Sequence, residues 1–174
     1  MDSETRSRMM AGIKAKNTKP ELFLRSALHA QGFRYRLGGC GLPGRPDLVF
    51  PGRRVAVFVH GCFWHHHDCR YFKWPATNIQ AWRVKIDSNV QRDRRVVTDL
   101  ERLGWTVSVV WECELTKASE PESRRTVSRV VRVLRQQCCR IPAHEVSTST
   151  LPHGPRRSLV EGRRGVSRRK NSGG

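Results

Sequence analysis

Acidic side chains are scarce in this sequence: 15 Asp and Glu stand against 33 Lys and Arg, a formal charge of +18. The imbalance is not confined to one end. Residues 1–139 carry 25 basic and 13 acidic side chains, and residues 140–174 carry eight and two. A folded domain with such an excess repels itself, so a cationic partner is excluded and a polyanion such as nucleic acid is expected. The chain also lacks any run of 18 apolar residues, so no membrane span is expected. Its first residues, Met1-Asp2-Ser3-Glu4-Thr5-Arg6, lack the basic start and apolar centre of a signal peptide. An intracellular, cytoplasmic protein is expected. In that reducing setting the six cysteines favour metal ligation over disulfides.

What is present reads as one α/β domain over residues 1–139 and a basic tail over 140–174, rich in Ser, Gly, Pro and Arg and expected to be disordered. Within an N-terminal arm over 1–17, residues 3–14 read as a short basic helix or arm, with Met9, Met10 and Ile13 as their only large apolar residues. Thr18-Lys19-Pro20-Glu21 has capping-box spacing, and a helix follows to Gly32 with Leu22, Leu24, Ala27 and Leu28 on its stripe. Residues 33–36 suggest a short strand, residues 38–44 a glycine-rich loop, and residues 47–50 another strand. Val55 to Val59 form an unbroken apolar run, the pattern of a strand covered on both faces. A long amphipathic helix over 78–103, a strand over 105–111 and a last helix from Ser119 to about Cys138 complete the pattern. Strand, long helix, strand predicts a right-handed crossover in a mixed sheet flanked by helices.

The densest chemistry follows the apolar strand. Cys62, His65, His66, His67 and Cys69 fall within eight residues, and thiolate and imidazole are the preferred donors for zinc. A tight loop can supply Cys62, His67 and Cys69, with Cys113 at the end of the 105–111 strand as the candidate fourth ligand of a structural Zn²⁺ site. The plainer alternative is a histidine-rich loop that holds no metal. Cys40, Cys138 and Cys139 read as ordinary small apolar residues.

Asp47, at a strand start and thirteen residues before His60, suits a ligand of Mg²⁺ held against a scissile phosphate, where the ion activates water. The neighbouring strand offers no carboxylate, but the Val59 carbonyl can serve as an ion ligand. An Asp after Pro is by itself an ordinary turn residue. His60 and His65 suit acid/base work near neutral pH. Glu21 is explained by helix capping alone. Phe63 and Trp64, inside the histidine loop, suit a wedge between base pairs. Trp82, at the start of the long helix, fits either that wedge or the core.

Together, Pro43-Gly44-Arg45-Pro46-Asp47, His60-Gly61-Cys62-Phe63-Trp64-His65-His66-His67 with Cys69, and Trp111-Glu112-Cys113 resemble the very short patch repair (Vsr) endonucleases over about residues 3–135. The resemblance implies a restriction-endonuclease-like fold and nicking of double-stranded DNA 5′ of the thymine in a T:G mismatch. Such mismatches arise from 5-methylcytosine made by a cytosine-5 DNA methyltransferase. It implies Asp47 and the Val59 carbonyl at Mg²⁺, His60 and His65 at the phosphate, and Glu21 as the acidic residue near them. It further implies Cys62, His67, Cys69 and Cys113 at zinc, and Phe63, Trp64 and Trp82 as intercalating aromatics. Met10 and Ile13 match apolar residues presented to DNA by the N-terminal helix, and Lys85 and Asn89 match mismatch-reading positions. A monomer working at the nucleoid is expected. The chain departs from the pattern at Val59, where a Thr stands in the family's best-known form, at Asp68, which replaces a histidine, and after Arg140. The competing expectation is a non-catalytic zinc module that binds distorted DNA.

Overall fold

A computed structural model describes residues 16–138, without the side chain of Cys138. The N-terminal arm through residue 15, with Met10 and Ile13, and Cys139 and the tail over 140–174 lie outside the described residues.

Three strands form one mixed sheet in the order β1 (Leu48–Phe50), β2 (Val55–His60), β3 (Thr106–Trp111). β1 runs antiparallel to β2 through a short 3₁₀ turn at Pro51–Arg53, and β2 runs parallel to β3. A parallel pair cannot be joined by a hairpin. The long helix α2 (Ile79–Arg102) makes the crossover, after α1 (Lys19–Ala30) and before the one-turn helix α3 (Glu112–Leu115) and α4 (Glu120–Cys138).

The alternation of side chains along a strand explains why β2 is apolar throughout. Val55 and Val57 face a core shared with Leu24 and Leu28 of α1 and Val130 and Leu134 of α4. Ala56 and Phe58 face the other way, onto Leu100 and Val96 of α2. Both faces of the central strand are thus covered, α1 and α4 on one side and α2 on the other. Burying a Val or Leu side chain fully stabilises by roughly 1.5–3 kcal/mol each, so β2 is the element on which the layers depend.

One local expectation is revised. Residues 33–36 make no strand; only Arg36 bridges to Val49, because Phe33 turns into the core and Tyr35 packs edge-on against Phe50. After β3 the chain winds at once into α3, with the Trp111 N–H donating to Glu114 Oε2. One glycine is required by a close approach. Gly44 has φ +70°, and a Cβ there would run into the side chain of Val96, so the loop leading to Asp47 can lie against α2.

Candidate active site

Asp47 stands one residue before β1, at the end of the ladder with β2. Its Oδ2 accepts the Val59 N–H at 2.7 Å. Within an extended strand the N–H and C=O of one residue point the same way, so the Val59 carbonyl is aimed toward Asp47 as well. Burial raises the Asp47 carboxyl above its ordinary range, the Val59 N–H pulls it back, and the nearby charge of Glu21 raises it further. A buried carboxylate with one oxygen committed and a carbonyl beside it is a donor set for a hard divalent cation.

Glu21, only 4 % exposed, closes the same cleft from α1. Its carboxylate accepts three hydrogen bonds. Oε1 accepts the Thr18 hydroxyl at 2.8 Å, and Oε2 accepts the Asn17 N–H at 3.0 Å and Arg25 Nη2 at 2.9 Å. The expected cap is therefore present in altered form, with Thr18 donating to the carboxylate rather than receiving a main-chain N–H. Arg25, one turn further along α1, was not singled out from the sequence, although Glu-x₃-Arg spacing is the signal of such a pair. Its Nη1 also donates to Asn17 Oδ1 at 2.6 Å, and its charge works to keep Asp47 ionised.

His60 ends β2, and His65 follows from the loop. Their rings stack with centroids 3.8 Å apart and planes 9° from parallel. Burial, and then the charge of His65, depresses His60 from 6.5 to about 4, so it is neutral at neutral pH. His65 Nδ1 lies 2.5 Å from Asp93 Oδ2 on α2. With Nδ1 held by a carboxylate, the imidazole offers its Nε2 to the cleft. Asp93 is the main site residue that sequence reasoning missed. The signal was there: it lies seven residues from both Ile86 and Leu100, the buried residues of α2, so a charge sits on a core stripe. Arg92 holds the other Asp93 oxygen at 3.2 Å and remains half exposed at the cleft rim.

These groups line one cleft of about 750 Å³ that contains Glu21, Asp47, Val59, His60, His65 and Asp93, with Trp64 at its wall. Its chemistry is a cation position beside two imidazoles and a basic rim, suited to a phosphate.

Beside it, the donor atoms of Cys62, His67, Cys69 and Cys113 all lie within 4.8 Å of one another. Cys62 Sγ and Cys113 Sγ are 3.7 and 3.3 Å from His67 Nδ1. A zinc tetrahedron with Zn–S near ~2.3 Å and Zn–N near ~2.0 Å has N···S edges of about 3.6 Å, so the spacing fits. Burial first, then the neighbouring thiols Cys62 and Cys69, push Cys113 up to about 12. Desolvation raises Cys62 as well, whereas Cys69, against its own desolvation, is lowered by the Tyr71 N–H and the Cys62 thiol. The Trp111 indole lies flat on His67 at 4.1 Å and edge-on to His60 at 5.4 Å, so one side chain touches both centres.

The aromatic residues converge as well. Phe63, Trp64 and Trp82 meet mutually at 5.1 to 6.0 Å. Phe72 and Trp74 form a second layer, with Phe72 stacked on Phe63 at 6.3 Å and His66 packed against both. That layer was not anticipated. Lys85 is exposed on α2, whereas Asn89 is partly buried and donates Nδ2–H to the Trp64 carbonyl at 3.0 Å.

Comparison with known proteins decides the family. The family model described as DNA mismatch endonuclease Vsr matches residues 1–71. The DNA mismatch endonuclease Vsr of Escherichia coli is 49 % identical over 114 residues, 66 % of this chain and 73 % of its own length. The type II nicking enzyme V.XorIIP of Xanthomonas oryzae pv. oryzae is 46 % identical over 124 residues, 71 % of this chain and 91 % of its own length. The chain belongs to the Vsr family. It is an endonuclease, and mismatch repair is the process to which the Vsr family name attaches. A further relative, the type II nicking enzyme V.NmeAIP of Neisseria meningitidis, is 42 % identical over 130 residues, 75 % of this Vsr chain and 91 % of its own length. No helix among the described residues of this Vsr chain is long and apolar enough to cross a membrane.

Proposed function

We propose that this protein nicks one strand of duplex DNA 5′ of the thymine in a T:G mismatch left by deamination of 5-methylcytosine. The observation that carries this reading is the shared loop. Phe63 and Trp64, suited to unstacking a base step, directly precede His65, which lines the cleft beside Asp47. The architecture, a mixed sheet with Asp47 and His60 at one end and helices on both faces, supports a restriction-endonuclease-like fold.

Asp47 and the Val59 carbonyl would hold Mg²⁺, which when bound supplies charge neutralisation at the phosphate and an activated water. This chain's own residues do the rest. His60, kept neutral, accepts a proton or a hydrogen bond; His65, oriented by Asp93, presents Nε2 to donate to the leaving oxygen; Arg92 at the rim attracts the phosphate. Glu21, held by Thr18, Asn17 and Arg25, acts by charge beside Asp47. Cys62, His67, Cys69 and Cys113 would hold a structural Zn²⁺ that fixes the loop. Lys85, exposed on α2, would reach a mismatched base, and the residues before 16, with Met10 and Ile13, would add contacts from another side. The work requires one active site, hence a monomer, in the cytoplasm at the nucleoid and alongside a cytosine-5 methyltransferase.

The test is a panel of T:G duplexes with varied flanking bases, with and without Mg²⁺. Wild type is expected to nick the thymine strand only with Mg²⁺, and Asp47→Ala to bind without nicking. Undiminished cleavage by Asp47→Ala would remove the active-site assignment.

A further inference from the structure

Asn89 and Asp93 sit one turn apart on the same face of α2, and they grip consecutive residues of the histidine loop. Asn89 donates to the main-chain oxygen of Trp64 at 3.0 Å, and Asp93 receives His65 Nδ1. Two turns before Asn89, Trp82 packs against the rings of Phe63 and Trp64. Three successive loop residues are thus seated on one helix stripe at positions 82, 89 and 93. A carbonyl only accepts, so the Asn89 amide nitrogen must face Trp64, which leaves its second N–H and Oδ1 for any other partner.

We propose that Asn89 is a positioning residue that acts through Trp64: it locks the aromatic wedge and the His65 imidazole into one unit, so that seating the wedge and aligning His65 are a single event. This rests on the reading of the protein as a mismatch-directed nickase. The link is short. Trp64 and His65 are adjacent, and His65 stacks on His60, which follows Val59, the partner of Asp47. Release of the Trp64 carbonyl lets the peptide between Trp64 and His65 rotate. A wedge shifted in that way carries the imidazole away from His60. A misplacement of about 1 Å at a reacting group can cost ~10²-fold in rate.

The loop supplies its own reporters, since the His65 N–H donates to the Gly61 carbonyl and the His67 N–H to the Cys62 carbonyl. Asn89→Asp keeps the shape and removes the donor; Asn89→Ala removes it without adding charge; Asn89→Gln keeps an amide donor. Amide hydrogen exchange is measured on the DNA-free, zinc-loaded full chain, and single-turnover nicking on a T:G duplex. Both donor-less variants are expected to exchange the His65 and His67 amides roughly tenfold faster. Their maximal nicking rate should fall about tenfold with KM within about twofold, and Asn89→Gln should recover part of both. Unchanged exchange in both variants overturns the proposal, as does a loss confined to KM. Wild type that nicks no T:G duplex overturns the function proposed above, and the exchange measurement then decides the positioning role alone.

Discussion

The imidazoles of His60 and His65 lie face to face, 3.8 Å apart. Two rings so close do not both carry a charge at little cost. Burial and His65 hold His60 neutral, while the Asp93 carboxylate fixes the other ring. The pair therefore carries one proton position with a defined direction, which is what an acid and a base working on opposite sides of a phosphate require.

Asp93→Asn removes the carboxylate that orients His65 and favours the wrong tautomer. The expected result is a single-turnover nicking rate lower by about 10²-fold or more, with KM unchanged or smaller because a negative charge leaves a phosphate-binding cleft. Titration of rate against DNA concentration at saturating Mg²⁺ checks it. A rate within twofold of wild type would remove Asp93 from the site.

The depressed His60 gives a pH effect with a definite sign. Between about 6.5 and 4 the unfolded chain takes up a proton at this imidazole that the folded protein refuses. That term stabilises the fold least at low pH, so stability falls as pH drops through the window. His60→Gln should abolish this part of the pH dependence. Urea unfolding at pH 7 and pH 5 for both proteins, zinc-loaded, reads the difference. Parallel losses in the two would overturn it.

About one equivalent of zinc should remain through purification. Its removal by a strong chelator should lower the melting temperature by roughly 10 °C or more, and Cys113→Ser should do the same. The Cys113 thiol, pushed up to about 12 without a cation, makes zinc uptake release protons and weaken as pH falls. Metal analysis with a melting curve decides; chelation without any change in melting would exclude a structural role.

Phe63→Ala and Trp64→Ala should each weaken binding to a T:G duplex by about 1–3 kcal/mol, the worth of a base–aromatic stack, and leave binding to a paired duplex nearly unchanged. Phe72→Ala, behind Phe63, should give a smaller loss with the same preference. Binding isotherms on matched and mismatched duplexes measure both. Equal losses on the two would mean that the rings only fill space.

How much of this was legible in the sequence depends on how local the signal was. The apolar run of β2, the long stripe of α2 and the Cys/His spacing are all short-range patterns, and the structure contains each element nearly where the pattern put it. Cys113 was legible because parallel strands bring their ends to one edge. Residues 33–36 misled because Phe33 and Tyr35 alternate like strand residues while answering to a tertiary contact. Asp93 stood on the core stripe of α2, but its partner His65 is 28 residues away in sequence, and Arg25 was passed over although its partner Glu21 is one turn away on the same helix. Asn89 was visible as a candidate, but its hydrogen bond to a main-chain oxygen 25 residues away has no sequence signature.

The placement of Trp82, Asn89, Asp93 and Leu100 on one side of α2 bears on how such a protein can change over generations. Each residue added to a helix turns everything beyond it by about 100°. A single insertion between Trp82 and Asp93 would swing Asp93 off His65, or the wedge off its seat, in one step. Substitutions on the opposite, solvent-facing side would disturb neither. The geometry thus constrains the length of this helix between Trp82 and Asp93 more tightly than the letters on its solvent-facing side.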